Sequence, residues 1–197
     1  MEKWTRSLKA LLIFSVLFGL IYPAIVTGVA QVLFHKKANG SLILREGTIV
    51  GSVLIGQKFE EPRYFWGRVS AVDYQGAASA APNWGPTHAK LKERIEQRRK
   101  LFSEDSSDIA PPHDLITASA SGFDPHISPE AAFFQLGRVA RVRSLTKEQK
   151  EQLVDLIEGR IEDPFLFFMG EPVVNVFLLN LDVDDAFSAL SSTKREK

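Results

Sequence analysis

The sequence predicts an α+β protein: one N-terminal transmembrane helix followed by a single soluble domain with a small β-sheet and several helices. Three observations predict it. Residues 10–34 form a run of 25 positions without a charged side chain. Two β-branched runs, 49–55 and 173–179, have strand character. Between them lie three stretches with helical spacing or helix-start signals. The 197-residue chain balances 24 Lys+Arg against 24 Asp+Glu, with 45% hydrophobic residues and no cysteine. That composition is globular rather than disordered, and its zero net charge argues against a general nucleic-acid binder. Without cysteine there is no disulfide framework, thiolate metal site or cysteine nucleophile.

The uncharged run, as a helix, is about 37 Å long and crosses a hydrocarbon core of about 30 Å with some tilt. Lys9 and His35-Lys36-Lys37 mark its ends, leaving residues 1–9 as a short N-terminal tail and 38–197 as the soluble domain. A cleaved signal peptide is the rival, because Gly28-Val29-Ala30 has small residues at a cleavage-like spacing. The apolar run, however, continues through Val32-Leu33-Phe34. Residues 1–37 carry five basic side chains against Glu2, a net of +4, and the remaining 160 residues sum to −4. The basic tail favours an inside N-terminus and an outside domain, although both flanks of the span are basic. Ser15 with Gly19, and Ala24 with Gly28, form two small-x-x-x-small pairs suited to close helix packing in lipid. At about 100° per residue, the nine positions from Ser15 to Ala24 put the pairs on opposite faces, as if the helix sat between two partners.

In the soluble domain, Gly56 ends the first strand. Residues 62–86 form a long ordered loop, aromatic at first and then rich in Ala, Ser, Gly and Pro. Residues 87–102 make a charged helix whose apolar stripe is Leu91, Ile95 and Phe102. A polar linker follows over 103–113. Ser128-Pro129-Glu130 opens a helix to about Val142: a hydroxyl cap, a proline where no amide is needed, and an acid at the positive dipole end. Thr146-Lys147-Glu148-Gln149 is a capping box that opens another helix through Leu153, Leu156 and Ile157 to Arg160.

Residues 51–58 match the spacing of a phosphate loop, G-x-x-x-x-G-K-[ST], but fail where its chemistry resides. Gln57 replaces the phosphate-binding lysine and Lys58 replaces the magnesium-binding hydroxyl. Asp124-Pro125-His126, near Ser119, Ser121 and Asp114, suggests a hydrolase triad. Yet no G-x-S-x-G elbow is present, and a tight loop bonded to backbone explains the same residues. His35, His88, His113 and His126 lack close metal-ligand spacing. The all-small run Ala118-Ser119-Ala120-Ser121-Gly122 admits a close backbone approach. Arg138 and Arg141 sit where a helix C-terminus attracts cations or where an acidic partner could dock.

These segments, in order, resemble the C subunit of the bacterial Kdp potassium-transporting P-type ATPase. The resemblance is carried by Gly51-Ser52-x-Leu54-Ile55-Gly56-Gln57-x-Phe59, by Pro62-x-Tyr64-Phe65-x-x-Arg68-x-Ser70-Ala71 and by Asn83-x-Gly85-Pro86-Thr87. It continues through the unbroken stretch Asp114-Leu115-Ile116-Thr117-Ala118-Ser119-Ala120-Ser121-Gly122-Phe123-Asp124-Pro125-His126-Ile127-Ser128-Pro129, then Ala131-Ala132, Gln135 and Arg138-Val139-Ala140, and closes with Gly170-Glu171-Pro172-x-Val174-Asn175-Val176-x-x-Leu179-Asn180-Leu181. The chain departs from the family pattern at Val69, at 77–81 and at Val173. The resemblance implies a non-catalytic accessory subunit of the bacterial inner membrane, with a cytoplasmic N-terminus and an extracytoplasmic domain. It implies three partners besides membrane lipid: a channel-like potassium-binding subunit, a P-type ATP-hydrolysing subunit and a very small hydrophobic subunit. It also implies a catalytic chaperone that raises the hydrolysing subunit's ATP affinity, with ATP met only in a ternary complex and no cofactor bound by this chain alone. Candidate partner-contact or loop-ordering residues are Gln57, Arg68, Asn83, Thr117, Ser119, Ser121, Gly122, Asp124, His126, Gln135, Arg138 and Asn175. An exported serine hydrolase, using Ser119 or Ser121 with His126, and a secreted binding protein released after Ala30 are the alternatives.

Overall fold

A computed structural model describes residues 2–103 and 109–187. Part of the polar linker (104–108) and the last ten residues (188–197) lie outside the described residues. The chain divides into two compact units between Ser52 and Val53.

The first unit begins with a helical run of 32 residues, Glu2–Leu33, long and apolar enough to cross a membrane. It consists of α1 (Glu2–Val16), a π-helical turn (Leu17–Ile21) and α2 (Tyr22–Leu33). The π turn has a local cause. Pro23 lacks an amide, and its ring crowds the carbonyl four residues back, at Gly19. Widening the turn relieves that crowding, and the Tyr22 amide bonds to the Leu17 carbonyl, five residues back. One extra residue in the turn removes about 100° of rotation. The pairs Ser15/Gly19 and Ala24/Gly28 therefore lie about 80° apart rather than opposite each other, which corrects the sequence-based geometry. Helix α3 (His35–Ala38) and the antiparallel hairpin of β1 (Leu42–Arg45) and β2 (Thr48–Ser52) complete the unit. The Glu46-Gly47 turn has φ of +51° and +77°. Two consecutive positive φ values are what a two-residue hairpin turn demands.

The second unit contains α4 (Ala89–Ser103), α5 (His113–Ile116), β3 (His126–Ile127), α6 (Pro129–Val142), α7 (Lys147–Glu158), β4 (Ile161–Glu162), β5 (Val173–Asn175) and α8 (Val176–Phe187). Its sheet has the order β3-β5-β4, all antiparallel, with Ile127 and Ile161 both registered on Val174. Of the predicted strand 49–55 only 49–52 pair with β1, the chain turning at 53–55 before Gly56, and the two predicted strands do not share a sheet. Helix α6 supplies the centre of the core through Ala131, Ala132, Leu136 and Val139, against Leu153 and Ile157 of α7 and Leu179 and Val183 of α8. Both predicted helix starts form. The Ser128 hydroxyl accepts the Ala131 amide at 3.1 Å, and Thr146 and Gln149 bond reciprocally in a capping box.

The run 173–179 is only half strand. At Asn175 the side-chain oxygen accepts the Leu178 amide at 3.1 Å, capping a helix that starts at the next residue. Val176, Leu179 and Val183 then recur at helical spacing and are buried.

Candidate functional site

Residues 53–88 hold no helix or strand, yet Phe65 and Trp66 are buried. Buried backbone must be paired, and here side chains replace a missing strand neighbour. Asn180 of α8 accepts the Phe65 amide at 2.8 Å and donates to its carbonyl at 3.0 Å. Gln135 of α6 treats Trp66 the same way, at 2.8 and 3.1 Å. Arg138, 4% exposed, donates to the carbonyls of Pro62 and Tyr64 and to Gln135 Oε1. Its guanidinium lies 3.8 Å from the centre of the Trp66 ring. Two neutral amides and one arginine thus fix residues 62–66, a turn closed by the Tyr64 amide on the Glu61 carbonyl and the two residues after it, as a rail against α6 and α8.

Beyond the rail, three loops meet. The Ser119 amide donates to the Val69 carbonyl at 3.0 Å, and the Gly56 amide to the Phe123 carbonyl at 2.8 Å. Gly122 is held at φ +85°, where a Cβ would come within 2.6 Å of Val72 and 2.9 Å of the Ala80 carbonyl. A Cβ on Gly56 would come within 2.6 Å of the Asp124 carbonyl. The close approach read from the all-small run is therefore made within the chain, by 72–80 against 122.

Asp124 joins two of the loops. One carboxylate oxygen accepts Arg68 at 2.9 Å; the other accepts the His126 amide at 3.0 Å and lies 3.5 Å from the His126 ring nitrogen. Burial alone would raise its pKa, but the bonds from the His126 side chain and amide and from Arg68 together hold the carboxyl at about 2. Tyr74 donates to the Arg68 carbonyl at 2.5 Å, and burial pushes its phenol up to about 12. Arg68 lines two clefts, of about 450 and 330 Å³. The larger includes Lys58, Phe59, Trp66 and Arg98. The smaller is acidic, with Asp114, Asp124, Glu130 and Glu171 beside His113 and His126.

The other candidate residues serve mostly local bonds. The Ser119 hydroxyl accepts the Gly122 amide and the Ser121 hydroxyl accepts the Phe123 amide; neither bonds His126. Thr117 donates to the His113 carbonyl at 2.7 Å. Asn175 donates to the Val53 carbonyl at 2.9 Å, and Gln57 is half-buried one residue past Gly56. Asn83 is exposed at φ +53°, next to Trp84, which stacks with His88 and lies under the Arg94 guanidinium. Lys58, at the end of the phosphate-loop lookalike, pairs with Glu60 and Asp73 at 2.7 and 2.9 Å. Among the described residues, no group of three His, Asp or Glu side chains could hold a metal ion. Tyr74 and Asn180 are ordering residues outside the candidate set, although Asn180 lies in the motif that carries the family resemblance. Asn180 could have been found as the polar residue among the buried positions of an apolar helix.

A helix long and apolar enough to cross a membrane, followed by a domain whose polar side chains cross-tie its loops, defines the class of membrane-anchored modules. A family profile described as "K+-transporting ATPase, c chain" matches residues 4–185. A potassium-transporting ATPase KdpC subunit of Herpetosiphon aurantiacus is 51% identical over 183 residues, covering 90% of this chain and 93% of the relative. Subunits of the same name from Caldanaerobacter subterraneus and Methylococcus capsulatus are 46% and 47% identical, covering 92% and 90% of this chain and 94% and 95% of theirs. The chain belongs to this family, the C chain of potassium-transporting ATPases, and is a single-pass accessory subunit of that complex.

Proposed function

We propose that this chain raises the ATP affinity of its complex without touching the nucleotide itself. The N-terminus lies in the cytoplasm, the helix spans the inner membrane, and residues 38–197 sit outside. There the domain works beside a channel-like potassium-binding subunit, a P-type ATP-hydrolysing subunit and a small hydrophobic subunit. A domain outside cannot reach a cytosolic nucleotide, so its effect passes through conformational linkage: it binds one state of the transporting subunits better and biases them towards it.

The observation that carries this reading is the cross-tied loop cluster. Ser119, Ser121 and Asp124 use their oxygens on the chain's own amides and on Arg68, which suits a rigid docking body rather than a catalyst. Small residues on the membrane helix, within about an 80° sector, offer one neighbour a close approach. The test is the KM for ATP in potassium-stimulated hydrolysis by complexes purified with and without this chain. The KM rises several-fold without the chain; an equal KM in both preparations would refute the chaperone role.

A further inference from the structure

Between β4 and β5 the chain makes a closed turn of an unusual composition. The Phe165 amide donates to the Met169 carbonyl at 3.0 Å, the Met169 amide returns a bond to Phe165 at 2.9 Å, and Phe167 bonds back to Pro164 at 3.0 Å. Every side chain from 165 to 169 is large and apolar, and all five are exposed: Phe165 by 70%, Phe167 by 96% and Phe168 by 77%. Single exposed apolar residues are ordinary, but five in succession at one tip mark a surface that something else covers.

The backbone conformation points the same way. Leu166 and Phe167 have φ of +53° and +69°, the left-handed region that bulky residues avoid and that glycine or asparagine would occupy freely. The sequence accepts local strain to present aromatic side chains, a pattern concentrated at recognition sites.

The charge of the flanking residues bears on what covers the tip. Glu162, Asp163 and Glu171 flank the tip and are exposed, and no Lys or Arg occurs from 161 to 187. Arg160, the nearest cation along the sequence, is bound in a fork by Asp182, and Arg68, which shares a cleft with Glu171, is bound by Asp124. Segments that insert into bilayers carry Lys or Arg to meet phosphate headgroups, whereas an acidic collar is repelled by an anionic surface. The same collar complements a protein pocket with an apolar floor and a basic rim. We propose that residues 165–169 are a plug that seats in such a pocket on another subunit of the transporter. The proposal rests on the reading of this chain as an accessory subunit.

The test exploits the absence of native cysteine. Full-length chain carrying Phe167→Cys is expressed with and without the companion subunits, in membranes opened to reagent on both sides, and labelled with a hydrophilic maleimide. The plug predicts free labelling of the chain alone and at least fivefold slower labelling when the companions are present. Equal labelling in the two membranes, with the companions still co-purifying, would overturn the plug and leave the accessory-subunit reading intact. Slow labelling in both would mean burial in lipid and would overturn it too. Failure of the unsubstituted chain to recover any companion would sink both. As a second variant, Phe167→Asp with Phe168→Asp lowers recovery of the companions at least tenfold at unchanged chain level; undiminished recovery contradicts the proposal.

Discussion

Replacing Gly122 by alanine isolates the physical demand at the loop junction. At φ +85° a side chain costs about 1–2 kcal/mol from backbone sterics alone. The new Cβ would also sit 2.6 Å from Val72 Cγ2 and 2.9 Å from the Ala80 carbonyl oxygen. The first neighbour is a methyl group that can rotate aside; the second is backbone, so residues 72–80 must move. Overpacking of that kind costs about 1–3 kcal/mol more, giving a total of about 2–5 kcal/mol. With a urea dependence of about 2 kcal/mol per molar, the midpoint falls by about 1–2.5 M. Urea unfolding of the full chain in detergent, followed by fluorescence of the buried Trp66, reads that shift. Gly137→Ala is the matched control. Gly137 is an exposed residue inside α6, and no atom lies within 4 Å of the place its new methyl would take. The same change there stabilises by about 0.5–1 kcal/mol. Indistinguishable midpoints for the two variants would refute the packing argument.

Acid sensitivity follows from Asp124, whose carboxyl is held at about 2 against an ordinary 3.8. A depressed carboxyl contributes stability that is full above about pH 5 and lost as the pH falls from about 4 to about 2. It is worth about 1–2 kcal/mol after solvent screening. Asp124→Asn should flatten that acid limb in unfolding curves measured between about pH 2 and 6. Asn180→Ala leaves the buried Phe65 amide and carbonyl unpaired and lowers stability by about 2–4 kcal/mol, with faster hydrogen exchange over 64–67 as its signature. Arg138→Ala, which frees the carbonyls of Pro62 and Tyr64, lowers the melting temperature of the full chain. An unchanged melting temperature with lost assembly would instead make Arg138 a partner contact.

What is legible in the sequence is local. Ser128-Pro129 and the Thr146/Gln149 box place helix starts within their own turn, and both form where expected. The strand-to-helix switch at Asn175 is masked by β-branching at Val173, Val174 and Val176, although the cap and the spacing of Val176, Leu179 and Val183 weigh against a continuous strand. Strands β3 and β4 are two residues each and exist only through pairing with β5, which no local signal encodes. Strand β1 escapes the sequence reading despite the Glu46-Gly47 turn signal. Within the candidate site, Asp124-Pro125-His126 is readable as a backbone-bonded loop. The roles of Asn180, Gln135 and Tyr74 are not, because each bonds a backbone group distant in sequence or inside an irregular loop.

The central proposal is that this subunit raises nucleotide affinity without itself holding a nucleotide. Titration of ATP into the purified full-length chain in detergent, by calorimetry and without its companions, tests this most directly. Indirect action predicts no saturable heat; binding at one ATP per chain would contradict it.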